Sequence, residues 1–218
     1  MLDLLFPSRC VVCRRTGTQL CVACREGLRR VPLPLCERCG APTSWPVRRC
    51  GECAGRRLAF VSARAAIVYD DAARALVRSW KERGLRALAP FAAELVVESL
   101  ARPGVAAIVA VPPDPDRALE RGEHPATALA RELGRRWSIP LSMPIARSGA
   151  RPRQAGLALA ARRGNVRGTF LAVSSAPTSV CLVDDVYTSG ETVNAAASAL
   201  RKVGARRVVV VSLTRAVR

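Results

Sequence analysis

No apolar run in the chain approaches the roughly 18 to 20 residues that a membrane-spanning helix needs, which excludes an integral membrane protein built on such helices. The opening stretch, MLDLLFPSRC, has a short apolar run and no basic leader. No secretory signal is therefore expected, and a cytoplasmic location follows by default. Aromatic residues are scarce, at three Trp, two Tyr and four Phe, which argues against an extensive base-stacking platform for single strands. Lysine is almost missing, with only Lys81 and Lys202 among 35 basic residues. An arginine and alanine bias of that kind is what a GC-rich coding sequence produces without selection for binding. Histidine occurs once, at His124, so only one side chain has an ordinary pKa suited to general base catalysis near neutral pH. Its place at an Arg-rich helix start reads as exposed.

What is present is a 218-residue chain, half of it apolar, which suffices for one full domain plus a small module. The formal net charge is +18. Two tetrathiolate zinc sites, at about −2 each, would bring it to about +14. The chain should still attract phosphates and polyanions at low salt. Composition changes near residue 60. Residues 1–60 hold eight of the nine cysteines with many Pro, Gly and Arg, and residues 61–218 read as alternating strands and helices. We expect a double zinc ribbon over 1–60 and an α/β domain over 61–218.

The eight N-terminal cysteines form four CxxC pairs: Cys10/Cys13, Cys21/Cys24, Cys36/Cys39 and Cys50/Cys53. A two-residue spacer lets a tight turn offer both thiolates to one metal, and two such knuckles complete a tetrahedral sulfur site. Disulfides are the alternative, but they are rare in a reducing compartment; an iron–sulfur cluster or redox dithiol is the third reading. Pairing in sequence puts Cys10, Cys13, Cys21 and Cys24 on one ion and the last four on another, whereas an interleaved cross-brace has the same ligand count. Either way the expected cofactor is structural zinc, one or two ions, with no open position for catalysis. Arginine pairs such as Arg56–Arg57 supply local positive charge. Cys181 stands alone and reads as a core residue.

Further along, the pattern predicts a strand at Ala65–Tyr69, helices over Ala72–Arg83 and Leu88–Leu100, and a buried strand at Ala106–Pro112. A helix over Pro125–Trp137 and a short strand at Leu141–Ala146 follow, then an Arg- and Gly-rich connection to Gly168. Ser179–Val183 is an apolar β-branched run, Gly190–Val203 a helix that Gly204 can stop, and Arg207–Leu213 another buried strand. Strand, helix and strand make a right-handed βαβ unit, hence a parallel sheet covered by helices. The fold class is α/β.

Within VCLVDDVYTSGET (Val180–Thr192) a buried strand ends in two acids and leads through a hydroxyl- and Gly-bearing turn into a helix. Asp184 and Asp185 would sit at the carboxyl end of a parallel strand, where open α/β sheets place ligands. Adjacent carboxylates there suit the vicinal hydroxyls of a ribose. Thr188, Ser189, Gly190, Glu191 and Thr192 then offer a helix N-terminus to a phosphate, with Gly190 allowing a conformation or approach that a side chain would block. A plain N-cap at Thr188 or Ser189 beside two solvated acids is the ordinary reading of each half. A nucleotide P-loop spacing and a dinucleotide fingerprint are both missing.

This motif resembles the phosphoribosyl pyrophosphate signature of type I phosphoribosyltransferases. Together with the four CxxC pairs it makes nearly the whole chain resemble the ComF (competence protein F) family, which joins a double zinc ribbon to a phosphoribosyltransferase domain. Lys81 in RSWKERG, the strand and loop Val109–Arg117, Arg121–Gly122, and Gln154, Arg162 and Asn165 are similar to further family blocks. After Arg121–Gly122 the chain departs from the family pattern, reading Glu123–His124. The resemblance implies ribose and 5′-phosphate contacts from Asp184 to Thr192. It also implies pyrophosphate contacts from Lys81, Arg117, Arg121 and Arg162, with Mg²⁺ mediating past Asp114 and Asp116. Asp184, Asp185 and Arg121 would carry the catalytic roles. It implies as well a link to DNA uptake, with single-stranded DNA or the uptake machinery as partners. Two functions stay open: a phosphoribosyltransferase with an unknown acceptor, and a non-catalytic ligand-sensing or nucleic-acid-binding adaptor.

Overall fold

The β-branched runs assemble into a four-stranded parallel sheet in the computed structural model, which describes residues 8–114, 123–148 and 169–217. Its strands are β1 (Ser62–Val68), β2 (Ala107–Ala110), β5 (Ser179–Tyr187) and β6 (Arg207–Arg215), in the spatial order β1-β6-β5-β2. Every neighbouring pair is parallel, so all four carboxyl ends lie along one edge. A two-stranded antiparallel ribbon, β3 (Ile145–Arg147) with β4 (Phe170–Ala172), stands apart. The short strand expected at Leu141–Ala146 is split: Leu141 forms a lone bridge to Ile108, and β3 starts at Ile145. Pro140 and Pro144 flank the gap, and a residue without an N–H cannot hold a ladder.

Described helices are α1 (Val22–Glu26), α2 (Asp71–Arg83), α3 (Leu88–Ser99), α4 (Pro125–Trp137) and α5 (Glu191–Lys202). The Asp70 side chain accepts a hydrogen bond from the Ala73 N–H at 3.0 Å and so starts α2. His124 starts α4 in the same way, its Nδ1 accepting from the Ala126 N–H at 3.3 Å. That contact gives the lone histidine a capping role.

Strand alternation divides the core between the two sheet faces. On one face Cys181, Val183, Val209 and Val211 pack with α2, α3 and α4, among them Leu76, Trp80, Leu95 and Leu129. On the other, Val180, Leu182, Val208 and Val210 pack with Val193, Ala196, Ala197 and Leu200 of α5. Each branched side chain so buried contributes about 1.5–3 kcal/mol. The cysteine-rich segment joins both clusters. Cys10, Val11, Leu20 and Leu28 belong to the first, and Cys36, Cys39, Cys53, Leu58 and Phe60 to the second. Its two halves therefore clasp opposite faces of one sheet. Among the described residues no helix is long and apolar enough to cross a membrane.

Candidate functional site

The cysteines gather in sequential sets: Cys10, Cys13, Cys21 and Cys24 form one group, Cys36, Cys39, Cys50 and Cys53 the other, with the sulfurs of each group all within 4.8 Å of one another. The pairing left open by the spacing is thus sequential. One turn is used twice. The Cys10 N–H donates to the Arg15 carbonyl and the Arg14 N–H to the Cys10 carbonyl; Cys36, Gly40 and Ala41 repeat the same two bonds. Arg14 (φ 67°) and Gly40 (φ 72°) hold the matching left-handed position. A Cβ at Gly40 would also overlap the Ala63 carbonyl oxygen of β1, so the second loop sits closer to the sheet than an alanine would allow.

All eight cysteines are free. Sulfur pairs lie 3.7 Å apart for Cys13 and Cys21, 3.6 Å for Cys36 and Cys53, and 3.4 Å for Cys39 and Cys50. The edge of a tetrahedron with zinc–sulfur bonds of about 2.3 Å is about 3.8 Å, so the donor set fits structural zinc. Burial works to raise the Cys10 thiol, yet N–H groups of Cys21, Cys13 and Val12 outweigh it and bring the pKa down to about 6. Cys36 is brought down to about 7 in the same way. Their neighbours go the other way: burial first, then the adjacent sulfurs, push Cys24 up to about 12. Four thiolates so close can all ionise only around a cation. The zinc-ribbon donors are thereby brought together in full.

The second constellation lies at the carboxyl edge of the sheet. β5 does not stop at Val183 but runs through Asp184 and Asp185 to Tyr187, because β6 continues beside it to Arg215. Both acids are buried, Asp184 at 7% and Asp185 at 3% exposure. The Asp184 Oδ1 accepts the Asp185 N–H at 2.9 Å. Lys81, at the end of α2, places its Nζ 2.6 Å from the Asp185 Oδ2. Burial first, and the Asp185 charge second, raise the Asp184 carboxyl well above the usual carboxylate range; the Asp185 N–H and Lys81 pull the other way.

After Tyr187 the chain turns through Gly190 (φ 74°), which is the N-cap of α5. The Ser189 Oγ accepts from the Glu191 N–H at 3.4 Å, a long bond, so hydroxyl capping is only part of the turn. A Cβ at Gly190 would overlap the Tyr187 ring and hydroxyl, so conformation and space both call for glycine. We expect Gly190→Ala to lower stability by about 1–3 kcal/mol, read as a lower denaturation midpoint. An unchanged midpoint would mean that the turn and ring relax freely.

Residues that the motif did not announce complete this edge. Arg215 is 1% exposed. It donates to the Cys39 carbonyl at 2.6 Å and to the Glu52 carboxylate at 2.7 Å, and its guanidinium lies 4.6 Å from the Tyr187 ring centre. Arg56 donates to the Ser189 carbonyl at 2.8 Å and to the Glu191 Oε1 at 2.7 Å. Asn194 of α5 accepts from the Ala59 N–H and donates to the Arg57 carbonyl. The second cysteine loop is therefore tied directly to the turn between β5 and α5. Of the pyrophosphate-side residues expected, the structure brings Lys81 to Asp185; Arg117, Arg121 and Arg162 lie outside the described residues, as do Asp116, Gln154 and Asn165. Thr188 is exposed and Thr192 half-buried.

Residues 1–54 match the double zinc ribbon domain family. Over 97% of this chain and 98% of the other, the sequence is 29% identical to competence protein F of Haemophilus influenzae. Among solved structures, adenine phosphoribosyltransferase from Thermoanaerobacter pseudethanolicus is similar at 15% identity, over 57% of this chain and 78% of that one, with a TM-score of 0.36. Trypanosoma cruzi hypoxanthine phosphoribosyl transferase is similar at 14% identity, over 62% and 66%, with a TM-score of 0.34. The likeness to the ComF family thus extends over nearly the full length of the chain, and the N-terminal segment is a double zinc ribbon.

Proposed function

We propose that the carboxyl edge of β5 and the following turn bind phosphoribosyl pyrophosphate, or a similar phosphoribosyl ligand, and that the chain serves DNA uptake in the manner its ComF likeness implies. The observation that carries this reading is the pairing of two buried carboxylates, Asp184 and Asp185, with a glycine-capped helix N-terminus five residues on. Ionised carboxylates accept hydrogen bonds from ribose hydroxyls, and the amino end of α5 favours a phosphate. Burying two neighbouring acids costs stability, and such an arrangement is expected where a ligand repays it. Lys81 then has two proposed roles: it neutralises Asp185 and adds positive charge beside the proposed site for an anionic ligand. With a pyrophosphate leaving group, Mg²⁺ would bind the ligand's oxygens and supply charge neutralisation; Arg117, Arg121 and Arg162 are proposed to assist.

The test is titration calorimetry with Mg²⁺ and phosphoribosyl pyrophosphate, run beside an assay for pyrophosphate release. Saturable one-to-one binding is expected. Its absence at millimolar ligand would dispose of the site, whereas binding without release would favour the sensing role over transfer.

One feature favours an adaptor role in addition. An open depression of about 390 Å³ is lined by Arg57, Leu58, Ala59, Ser198, Arg201 and Lys202, on α5 and the end of the cysteine-rich segment. We propose it as a contact for the phosphates of a single strand. Three neutralised phosphates predict a slope of about −2 for log K against log salt. A flat response, or no loss with Arg57→Ala and Arg201→Ala combined, would count against it.

A further inference from the structure

We infer that Arg56 is a positioning residue of the phosphoribosyl site, and that the second zinc loop is in this way part of the ligand site and not only a neighbouring module. The inference rests on the ligand reading proposed above. Arg56 lies three positions after Cys53, and its own N–H donates to the Cys53 carbonyl at 3.2 Å, so the knuckle fixes where the side chain starts. Its guanidinium then makes two contacts to one turn, the Ser189 carbonyl at 2.8 Å and the Glu191 carboxylate at 2.7 Å. Arg56 and Glu191 are 29% and 32% exposed, so water screens the pair only in part.

Each contact has a consequence for a phosphate. In a trans peptide the C=O and the next N–H point in opposite directions. Holding the Ser189 oxygen toward Arg56 therefore aims the Gly190 N–H away from the cysteine-rich segment and fixes one donor of the turn. Glu191 is the first residue of α5, and its carboxylate sits in the same helix-end field that would attract a phosphate. An unpaired carboxylate there repels a phosphate; paired with Arg56, it is neutralised. Two further bonds, from the Ala59 N–H to Asn194 and from Asn194 to the Arg57 carbonyl, keep the strap from sliding along α5. Sequence motifs place Glu191 with the ligand; the structure gives it to Arg56.

Calorimetry with ribose 5-phosphate and with Mg²⁺–phosphoribosyl pyrophosphate tests this on the full-length, zinc-loaded chain. Arg56→Ala is expected to weaken both ligands about tenfold, the scale of one charge-assisted hydrogen bond. Adding Glu191→Gln to Arg56→Ala should recover most of that loss, because the uncancelled carboxylate is then gone; a merely structural strap would show no such recovery. Arg56→Lys keeps the charge but not the two-pronged contact and should fall between. Arg25→Ala breaks the corresponding anchor of the first cysteine loop on Glu94 and Glu98 of α3, and should leave affinity unchanged.

Wild-type binding with undiminished affinity in Arg56→Ala, no recovery in the double variant, or an equal loss in Arg25→Ala would overturn the role of Arg56 while leaving the site itself standing. Failure of the wild type to bind either ligand would remove both together. If Arg56→Ala does not fold, Arg56→Lys with affinity equal to wild type is the overturning result.

Discussion

Chelating the metal from the zinc-loaded protein is expected to release two zinc ions per chain and to unfold the N-terminal quarter, carrying the main core down with it. The ligands are central to local packing: Cys10, Cys36 and Cys53 are fully buried. Structural zinc in small modules contributes an apparent 10 to 16 kcal/mol, roughly, at neutral pH. Whole domains are stable by only about 5–15 kcal/mol, so the loss is of the same order as the total. It spreads because each zinc loop lends residues to a different core cluster, Leu20 and Leu28 on one face and Leu58 and Phe60 on the other. Arg215 adds to it. Without the second loop this buried guanidinium loses the Cys39 carbonyl and Glu52, and a buried charge stripped of its partners costs about 3–5 kcal/mol. The check is metal analysis with thiol titration, followed by circular dichroism through a chelator series. All nine thiols, Cys181 of the core included, should titrate with the loss of signal. Acid should mimic the chelator, since protonated thiols do not hold zinc. A zinc-free protein that melts at the same temperature would refute this account.

Local features were legible in the sequence where one short segment carries all the information. The helix Pro125–Trp137 was readable from proline at its first position and from its apolar spacing, and the CxxC pairs from their spacers. Strand ends were not. Ser179–Val183 and Arg207–Leu213 look complete in the sequence because the residues beyond are acids, a threonine and an arginine, and polar residues normally mark the exit to solvent. Here they stay inside because their partners arrive from far away: Lys81 for Asp185, Cys39 and Glu52 for Arg215. The same holds for the pairing of the CxxC knuckles, which the gathering of the sulfurs into two groups decides and spacing does not. In the candidate site, Asp184 to Thr192 were readable as a contiguous motif. Arg56 and Arg215 were not, since Arg56 reaches Glu191 across 135 positions and looks in sequence like one more solvated arginine.

Asp184→Asn combined with Asp185→Asn is expected to abolish phosphoribosyl pyrophosphate binding while leaving the fold intact, and the single Asp184→Asn variant should be more stable than the wild type above neutral pH. The first part follows from hydrogen bonding: the Lys81-paired Asp185 carboxylate loses the charge-assisted share of its bond to a ribose hydroxyl when an amide replaces it, and at both positions an NH₂ donor takes the place of an acceptor oxygen. The second follows from linkage. The folded-state pKa of Asp184 is raised by burial and by Asp185, so between the unfolded value and that raised value the native state holds a proton that the unfolded chain has released. Stability therefore falls as pH rises through this window, and above it the full cost of a buried charge is borne. An asparagine has no such charge, and its side-chain oxygen can still accept the Asp185 N–H. Asp185→Asn alone should differ, because it removes the partner of Lys81; that lysine is 39% exposed and can turn to water, so only a modest loss is expected. Thermal melts from pH 5 to 9, beside calorimetry, read out both parts. A melting temperature that falls with Asp184→Asn at alkaline pH would show that the carboxylate is not strained by burial, and undiminished affinity in the double variant would show that these acids do not hold the ribose.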